Sequence, residues 1–241
     1  MANVAGVDLK SALERKTMLR TNKIINGLNP PETGAEGVWF WQTNPLEAGT
    51  KVLSEPENAR VSRLLLPEKR DLLSASLAER RHLLAGLLGC EPASLRIAHD
   101  DQGKPGLPDY PDISISFSDS EDWNGLALSR DRPVGIDVEL VRPVLWEPML
   151  NMLAEDDEAD DIRAILADRA ELDTFFRCWT AKEAILKAAG TGLKGGARRI
   201  RLPFAFISSD TDHFTIEHDG LNLAIDTFLE DRLILSRALA V

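Results

Sequence analysis

The segment from Val134 to Leu140 constrains the fold of this chain most, because it fits a β-strand with one buried face. Its apolar residues at even positions point into a core, whereas Asp137 and Glu139 share the opposite face, about 7 Å apart. Two carboxylates placed in this way repel each other unless a cation lies between them. Mg²⁺ suits them because it binds carboxylate oxygens together with water and phosphates.

A helix is predicted over residues 172–189, where apolar residues recur at the three-to-four spacing of one buried face. Glu183 lies on or beside that face, next to Lys182 and four residues before Lys187. Glutamate is rarely buried without a partner. We therefore expect Glu183 to complete the carboxylate site of the strand, and both lysines to contact phosphate.

Simpler interpretations of both segments remain open. An Asp-x-Glu pair on a strand commonly belongs to a solvated face. Residues 180–183 also fit a capping box, in which Glu183 would begin a new helix. Glu183 and Lys187 also form an ordinary i, i+4 pair. The apolar spacing that continues through Thr180 argues against a helix start there.

Taken together, the two segments resemble the signature of the phosphopantetheinyl transferase superfamily, a (V/I)-G-(I/V)-D strand followed by (F/W)-x-x-K-E-x-x-x-K. The matching parts are Val134–Asp137 and Trp179–Lys187. Each part alone is common, but their order and separation are specific. The resemblance covers about residues 38–241 and is to the larger, surfactin-synthetase-activating (Sfp) type.

This resemblance implies an α+β fold of two similar α/β subdomains related by a pseudo-twofold axis, with the active site at their interface. Residues 1–37 would be an N-terminal extension. Residues 38–133 would contact the coenzyme A nucleotide, and residues 134–241 would carry the metal and catalytic residues.

The activity implied is transfer of the 4'-phosphopantetheine arm of coenzyme A to a serine of an apo acyl or peptidyl carrier protein, with release of 3',5'-ADP. Asp137, Glu139 and Glu183 would hold Mg²⁺. Glu183 would take the proton of the serine, Lys187 would stabilise the departing 3',5'-ADP, and Lys182 would support the phosphates.

The resemblance also carries over contacts to coenzyme A. The positions are Lys69, Arg81, Lys104, Pro105, Ser116, Asp137 and Lys187. Lys69 and Arg81 equally fit a solvated basic face, and Lys104 with Pro105 fits a plain turn. Phe117 stands where the family has a histidine that meets the 3'-phosphate, so one cationic contact is missing.

Composition limits the binding partners and the cell compartment that we expect for this chain. The net charge of −11 over 241 residues argues against binding to nucleic acid or to an anionic membrane. No stretch reaches the length of a membrane span, and there is no apolar signal segment. Cys90 and Cys178 lack metal-type spacing and fit core thiols of a reducing compartment. We expect a cytoplasmic monomer.

Periodicity and turn residues predict the other elements. The predicted helices are 9–25, 72–88 and 145–166, and the predicted strands are 38–41, 113–118, 126–129, 200–208, 213–217, 221–228 and 233–238. The acidic run 155–161 is expected to be a solvated loop or helix turn.

Two other functions stay open. A non-catalytic carrier-protein-binding homologue would explain the loss of the histidine at Phe117. A Mg²⁺-dependent phosphohydrolase would need a base to position water, and no such residue stands out in the sequence.

Overall fold

The structure is a computed structural model that describes residues 21–23, 33–45, 50–169, 172–192 and 196–241. Helices and largely antiparallel sheets confirm the predicted α+β fold. The strands are β1 (Thr21–Lys23), β2 (Gly37–Gln42), β3 (Ala98–His99), β4 (Pro105–Gly106), β5 (Ile113–Ser120), β6 (Trp123–Arg130), β7 (Val134–Leu140), β8 (His213–His218), β9 (Leu221–Glu230) and β10 (Leu233–Ala240). The helices are α1 (Glu55–Ser62), α2 (Pro67–Leu88), α3 (Trp146–Leu153), α4 (Asp156–Arg169), α5 (Asp173–Ala189) and α6 (Phe204–Ile207).

The described strands form two sheets. The first has the order β1-β2-β6-β5-β4-β3, and the second has the order β7-β10-β9-β8. The chain passes from the first sheet to the second at residues 131–133, between β6 and β7. Strand β7 is therefore an edge strand of the second sheet. The pseudo-twofold relation and the domain division remain predictions.

The two sheets meet face to face through β7. One apolar cluster joins the first sheet to β7 and contains Val38, Phe40, Ala127, Val134, Ile136 and Val138. A β-carbon on Gly125 of β6 would lie 2.7 Å from Cγ2 of Val138. The absent side chain at Gly125 thus lets β7 lie directly on the first sheet.

Several predicted elements are confirmed, with changes at their ends. Helix α2 begins at Pro67 rather than residue 72, because the fixed φ of proline favours the first helical position. It ends at Gly89, which has a φ of 69°. The predicted helix 145–166 is two helices, since Ala154 is extended between them.

The predicted strand 200–208 is wrong. Pro203, which has no N–H for a strand ladder, instead precedes the short helix α6. Ile200 and Leu202 are buried in the core around α5, so their alternation reflects packing of irregular chain. The three later predicted strands are confirmed as β8, β9 and β10.

The predicted helix 9–25 lies mostly outside the described residues. Where it can be compared, it is wrong: β1 pairs in parallel with β2. Among the described residues, no helix is long and apolar enough to cross a membrane.

Candidate active site

The close packing of β7 against α5 sets the geometry of the site. A β-carbon on Gly135 would lie 2.0 Å from the carbonyl oxygen of Ala184 and 2.5 Å from the amide nitrogen of Ala188. Only glycine allows the strand and the helix to approach so closely. Asp137 and Glu139 follow Gly135 on the same face of the strand, because side chains alternate.

Asp137 and Lys187 form an ion pair between the strand and the helix. Nζ of Lys187 lies 2.7 Å from Oδ1 of Asp137 and 3.1 Å from the hydroxyl oxygen of Ser118. The Ser118 hydroxyl donates to the same Oδ1 at 2.7 Å. Asp137 is buried, whereas the Lys187 side chain keeps 28% of its surface exposed.

Glu139, two residues after Asp137, is also bonded to a serine of β5 and to a basic side chain. Its Oε2 accepts from the Ser120 hydroxyl at 2.7 Å and from the Arg142 guanidinium at 2.8 Å. Sequence reasoning missed Ser118, Ser120 and Arg142. The sequence does contain a pattern that could have indicated the serines, because serine occupies every second position of β5. Such alternation, however, is also typical of a solvated strand face.

Two buried carboxylate oxygens in the site have no hydrogen-bond partner among the described residues: Oδ2 of Asp137 and Oε1 of Glu183. Burial, with the added charge of Asp137 and Glu139, raises the pKa of Glu183 to about 7 against the opposing effect of Lys187. The charged form of Glu183 is therefore disfavoured in this site.

These carboxylates suit Mg²⁺ in the chemistry of their donors. Two unpartnered buried oxygens and a carboxyl group with a raised pKa are what a hard cation would satisfy. In this conformation of the described chain, no three acidic, histidine or cysteine side chains converge closely enough to hold a metal ion. Glu139 is turned toward Ser120 and Arg142.

Lys182 does not reach this site, which contradicts its predicted contact with phosphates. Its side chain is fully buried, and Nζ donates to Oε2 of Glu158 at 2.6 Å and to the carbonyl oxygen of Leu153 at 2.9 Å. The other oxygen of Glu158 accepts the N–H of Leu202. Glu158 is thus an exception to the predicted solvation of the acidic run, and Lys182 joins α5 to α4.

Comparison with known proteins shows which family this part of the chain is similar to. Residues 133–234 match the 4'-phosphopantetheinyl transferase superfamily, and the match includes both the carboxylate strand and α5. Curated relatives of this chain also have names of 4'-phosphopantetheinyl transferases. The predicted resemblance is therefore confirmed.

Three curated relatives in the superfamily illustrate the similarity. The 4'-phosphopantetheinyl transferase HetI of Nostoc is 35% identical over 145 residues, which cover 58% of this chain and 61% of HetI. A putative 4'-phosphopantetheinyl transferase of Synechocystis is 29% identical over 76% of this chain and 79% of its own length. The 4'-phosphopantetheinyl transferase Sfp of Bacillus subtilis is 28% identical over 58% of this chain and 67% of Sfp. The chain thus spans less than two thirds of HetI.

The residues carried over from the superfamily as coenzyme A contacts lie in different environments. Lys69 is exposed in the first turn of α2, as a phosphate ligand requires. Arg81 is buried, and its guanidinium donates to Glu57 and to two backbone carbonyl groups. These bonds give the guanidinium a structural role. Ser116 is also buried, and its hydroxyl accepts the N–H of Ile136.

Lys104 reaches across to the second half of the molecule. Its Nζ donates to the carbonyl oxygen of Ala188 at 2.7 Å, at the C-terminal end of α5. Burial lowers the pKa of Lys104. The neighbouring Pro105 is half-buried. Lys104 thus caps the helix that carries Glu183, and its predicted nucleotide contact would have to compete with this bond.

Phe117, which replaces the family histidine, is half-buried against the core of the first half. The guanidinium carbon of Arg80 lies 5.2 Å from its ring centroid. Arg80 is itself buried and paired with Asp119. A cation therefore lies beside the altered position, although it is already paired.

Removing the buried positive charge of Lys182 should strongly destabilise the fold. Lys182→Met leaves Glu158 buried without its charge partner, and we expect a loss of about 3–5 kcal/mol in the free energy of unfolding. The double variant Lys182→Met/Glu158→Gln should recover most of this loss, because no buried charge remains. Urea denaturation measures both. A loss in the single variant as small as that of a surface substitution would contradict the structural role.

The pKa of Glu183 predicts a stability that depends on pH in the metal-free protein. The folded state keeps the proton up to about pH 7, while the unfolded chain releases it near 4.5. Stability should therefore fall as pH rises between these values. Glu183→Gln should remove this slope and be more stable than the wild type at pH 8 by on the order of 2–3 kcal/mol. Urea denaturation with a chelator at pH 5 and pH 8 tests this, and equal slopes in the two proteins would contradict it.

Proposed function

We propose that this protein transfers the 4'-phosphopantetheine arm of coenzyme A to a serine of an apo acyl or peptidyl carrier protein. The observation that carries the proposal is the placement of Asp137 and Lys187 in one ion pair, with Glu183 on the same helix, inside the segment that matches the superfamily. The names of the relatives support the same reaction class.

The reaction would proceed by attack of the serine hydroxyl oxygen on the phosphorus that bears the pantetheine group. The bond from that phosphorus to the bridging oxygen of the pyrophosphate would break, and 3',5'-ADP would leave. Glu183 would take the hydroxyl proton, since a base with a pKa near 7 works best at neutral pH. Lys187, partly exposed, would donate a hydrogen bond to the charge that develops on the leaving group.

Asp137, Glu139 and Glu183 are the residues that would hold Mg²⁺. When bound, the ion would supply positive charge beside the pyrophosphate of coenzyme A. Lys69 and Lys104 would contact the nucleotide. The side chains of Arg81, Ser116 and Lys182 would act through the fold, because each is buried.

Mass spectrometry of candidate apo carrier proteins, after incubation with coenzyme A and Mg²⁺, tests the proposal. A gain of the phosphopantetheine arm on the serine, with release of 3',5'-ADP only when carrier is present, is the expected result. Release without carrier would favour a phosphohydrolase. Carrier binding without any release would favour a non-catalytic homologue.

We further infer that the protein works as a cytoplasmic monomer. Two free cysteines, Cys90 and Cys178, suit a reducing compartment. Both halves of the site come from one chain. Light scattering coupled to size-exclusion chromatography, with and without coenzyme A, tests the oligomeric state.

A further inference from the structure

Four serines of β5 join the two halves of the molecule. We call Ser114, Ser116, Ser118 and Ser120 the serine ladder. Their hydroxyl oxygens accept the backbone N–H groups of Val134, Ile136, Val138 and Leu140 of β7 at 3.2, 3.1, 3.2 and 3.1 Å. Each rung is two residues further along both strands.

The serine ladder provides hydrogen-bond acceptors for the outer edge of β7. Strand β7 pairs with β10 on one side only, so the N–H groups of its outer edge need acceptors. The backbone of β5 pairs with β6 along its length. Serine side chains, standing at every second position, provide the acceptors that the β5 backbone cannot. All four rungs share this structural role.

Ser118 and Ser120 also bond to a carboxylate and to a cation, in addition to the N–H of β7. The Ser118 hydroxyl accepts from Val138 and from Lys187 and donates to Asp137. A hydroxyl has one donor and two acceptor sites, so every site of Ser118 is used.

Ser120 repeats the pattern one rung later. Its hydroxyl accepts the N–H of Leu140 and the guanidinium of Arg142 at 3.4 Å, and it donates to Glu139. The molecule thus contains two consecutive units of serine, carboxylate and cation. No contact of this kind with a carboxylate is made by the hydroxyls of Ser114 or Ser116 in the described chain, where their bonds are to N–H groups of β7.

We propose that Ser118 and Ser120 are positioning residues that fix the orientation of Asp137 and Glu139, two of the carboxylates that would hold a divalent cation. This inference rests on the proposed function, which requires a cation there. Ser118 fixes Oδ1 of Asp137, so Oδ2 is left buried and without a partner in the described chain. Without the serine, the carboxylate would be free to rotate and its pair with Lys187 would lose its fixed geometry.

The test compares Ser118→Ala and Ser120→Ala with the matched control Ser114→Ala. Each variant removes one acceptor for a β7 N–H, so thermal denaturation should show a loss of stability in all three. Mn²⁺ alone is the probe, and its binding is measured by electron paramagnetic resonance. We expect Mn²⁺ affinity to fall about tenfold in the Ser118 and Ser120 variants, at the lower end of the usual effect of losing a hydrogen-bond partner of a metal ligand. The control should keep the wild-type affinity.

Several results would overturn the inference. These are an unchanged Mn²⁺ affinity in both Ser118→Ala and Ser120→Ala, an equal loss in the Ser114→Ala control, or a wild-type protein that does not bind Mn²⁺. Should one of the two variants fail to fold, the other still decides, because each serine bonds to a different carboxylate of the proposed site.

Transfer assays on the same proteins separate this inference from the proposed function. A wild-type protein that binds Mn²⁺ but modifies no carrier would contradict the proposed function, while the Mn²⁺ comparison would still stand. If transfer occurs, Ser118→Ala should lower kcat and leave KM for the carrier close to that of the wild type, since Ser118 is buried.

Discussion

Asp137→Asn should lower kcat/KM for carrier modification by roughly 1,000-fold, which corresponds to about 4 kcal/mol of transition-state stabilisation. The amide keeps the shape of the carboxylate, and its oxygen can still accept from Ser118 and Lys187. It loses the negative charge that would bind Mg²⁺ and that pairs with Lys187. Because the change is nearly isosteric, the fold should be retained.

A matched control is Asp226→Asn. Asp226 is a largely buried strand carboxylate, and it pairs with Arg237 on the neighbouring strand at 2.5 Å. It also forms an ion pair from a strand, but with a second strand and outside the carboxylate site, so its variant should keep most of its transfer activity. Rates of holo-carrier formation, followed by mass spectrometry, give both values. Near wild-type transfer by the Asp137→Asn protein at modest Mg²⁺ would remove Asp137 from the mechanism.

Gly135→Ala should destabilise the protein by more than about 4 kcal/mol or prevent it from folding, an effect that only a few mechanisms produce. The new methyl group would lie 2.0 Å from the carbonyl oxygen of Ala184 and 2.5 Å from the amide nitrogen of Ala188. Both are backbone atoms of α5, so no side chain can move aside. The helix would have to shift as a whole, and with it Glu183 and Lys187.

Gly106→Ala is the control for this change. Gly106 is also a strand glycine, but a β-carbon there would meet nothing within 4 Å. We expect little change in its unfolding midpoint in urea. If Gly135→Ala folds with wild-type stability and activity, the close packing of β7 on α5 is not needed.

The central part of the site could be predicted from sequence because it depends on local periodicity. Alternation along β7 places Asp137 and Glu139 on one face, and helical spacing fixes Glu183 and Lys187. Both elements are confirmed, and α5 runs without a break through Thr180, so the capping-box interpretation of Glu183 is wrong.

The environments of Lys182 and of the serines could not be predicted, because they depend on contacts between residues that are distant in sequence. Lys182 adjoins Glu183 in the chain, but it lies on a different face of the helix and meets Glu158, 24 residues away. Nothing local distinguishes a lysine that contacts phosphate from one that is buried in a pair. Similarly, alternate serines are typical of a solvated strand, and only the tertiary packing of β7 on the first sheet makes them an interface.

The serine ladder also fixes the alignment of the two halves in a way that can be checked rung by rung. A slip by one rung would displace β7 by two residues, about 7 Å along the strand. If the slip brought Ser118 to the N–H of Ile136, the residue before that N–H would be Gly135, which has no carboxylate to accept the serine proton. A chain misaligned in this way would lose the contacts of Ser118 with Val138 and Asp137, so these contacts report that the two halves are correctly aligned.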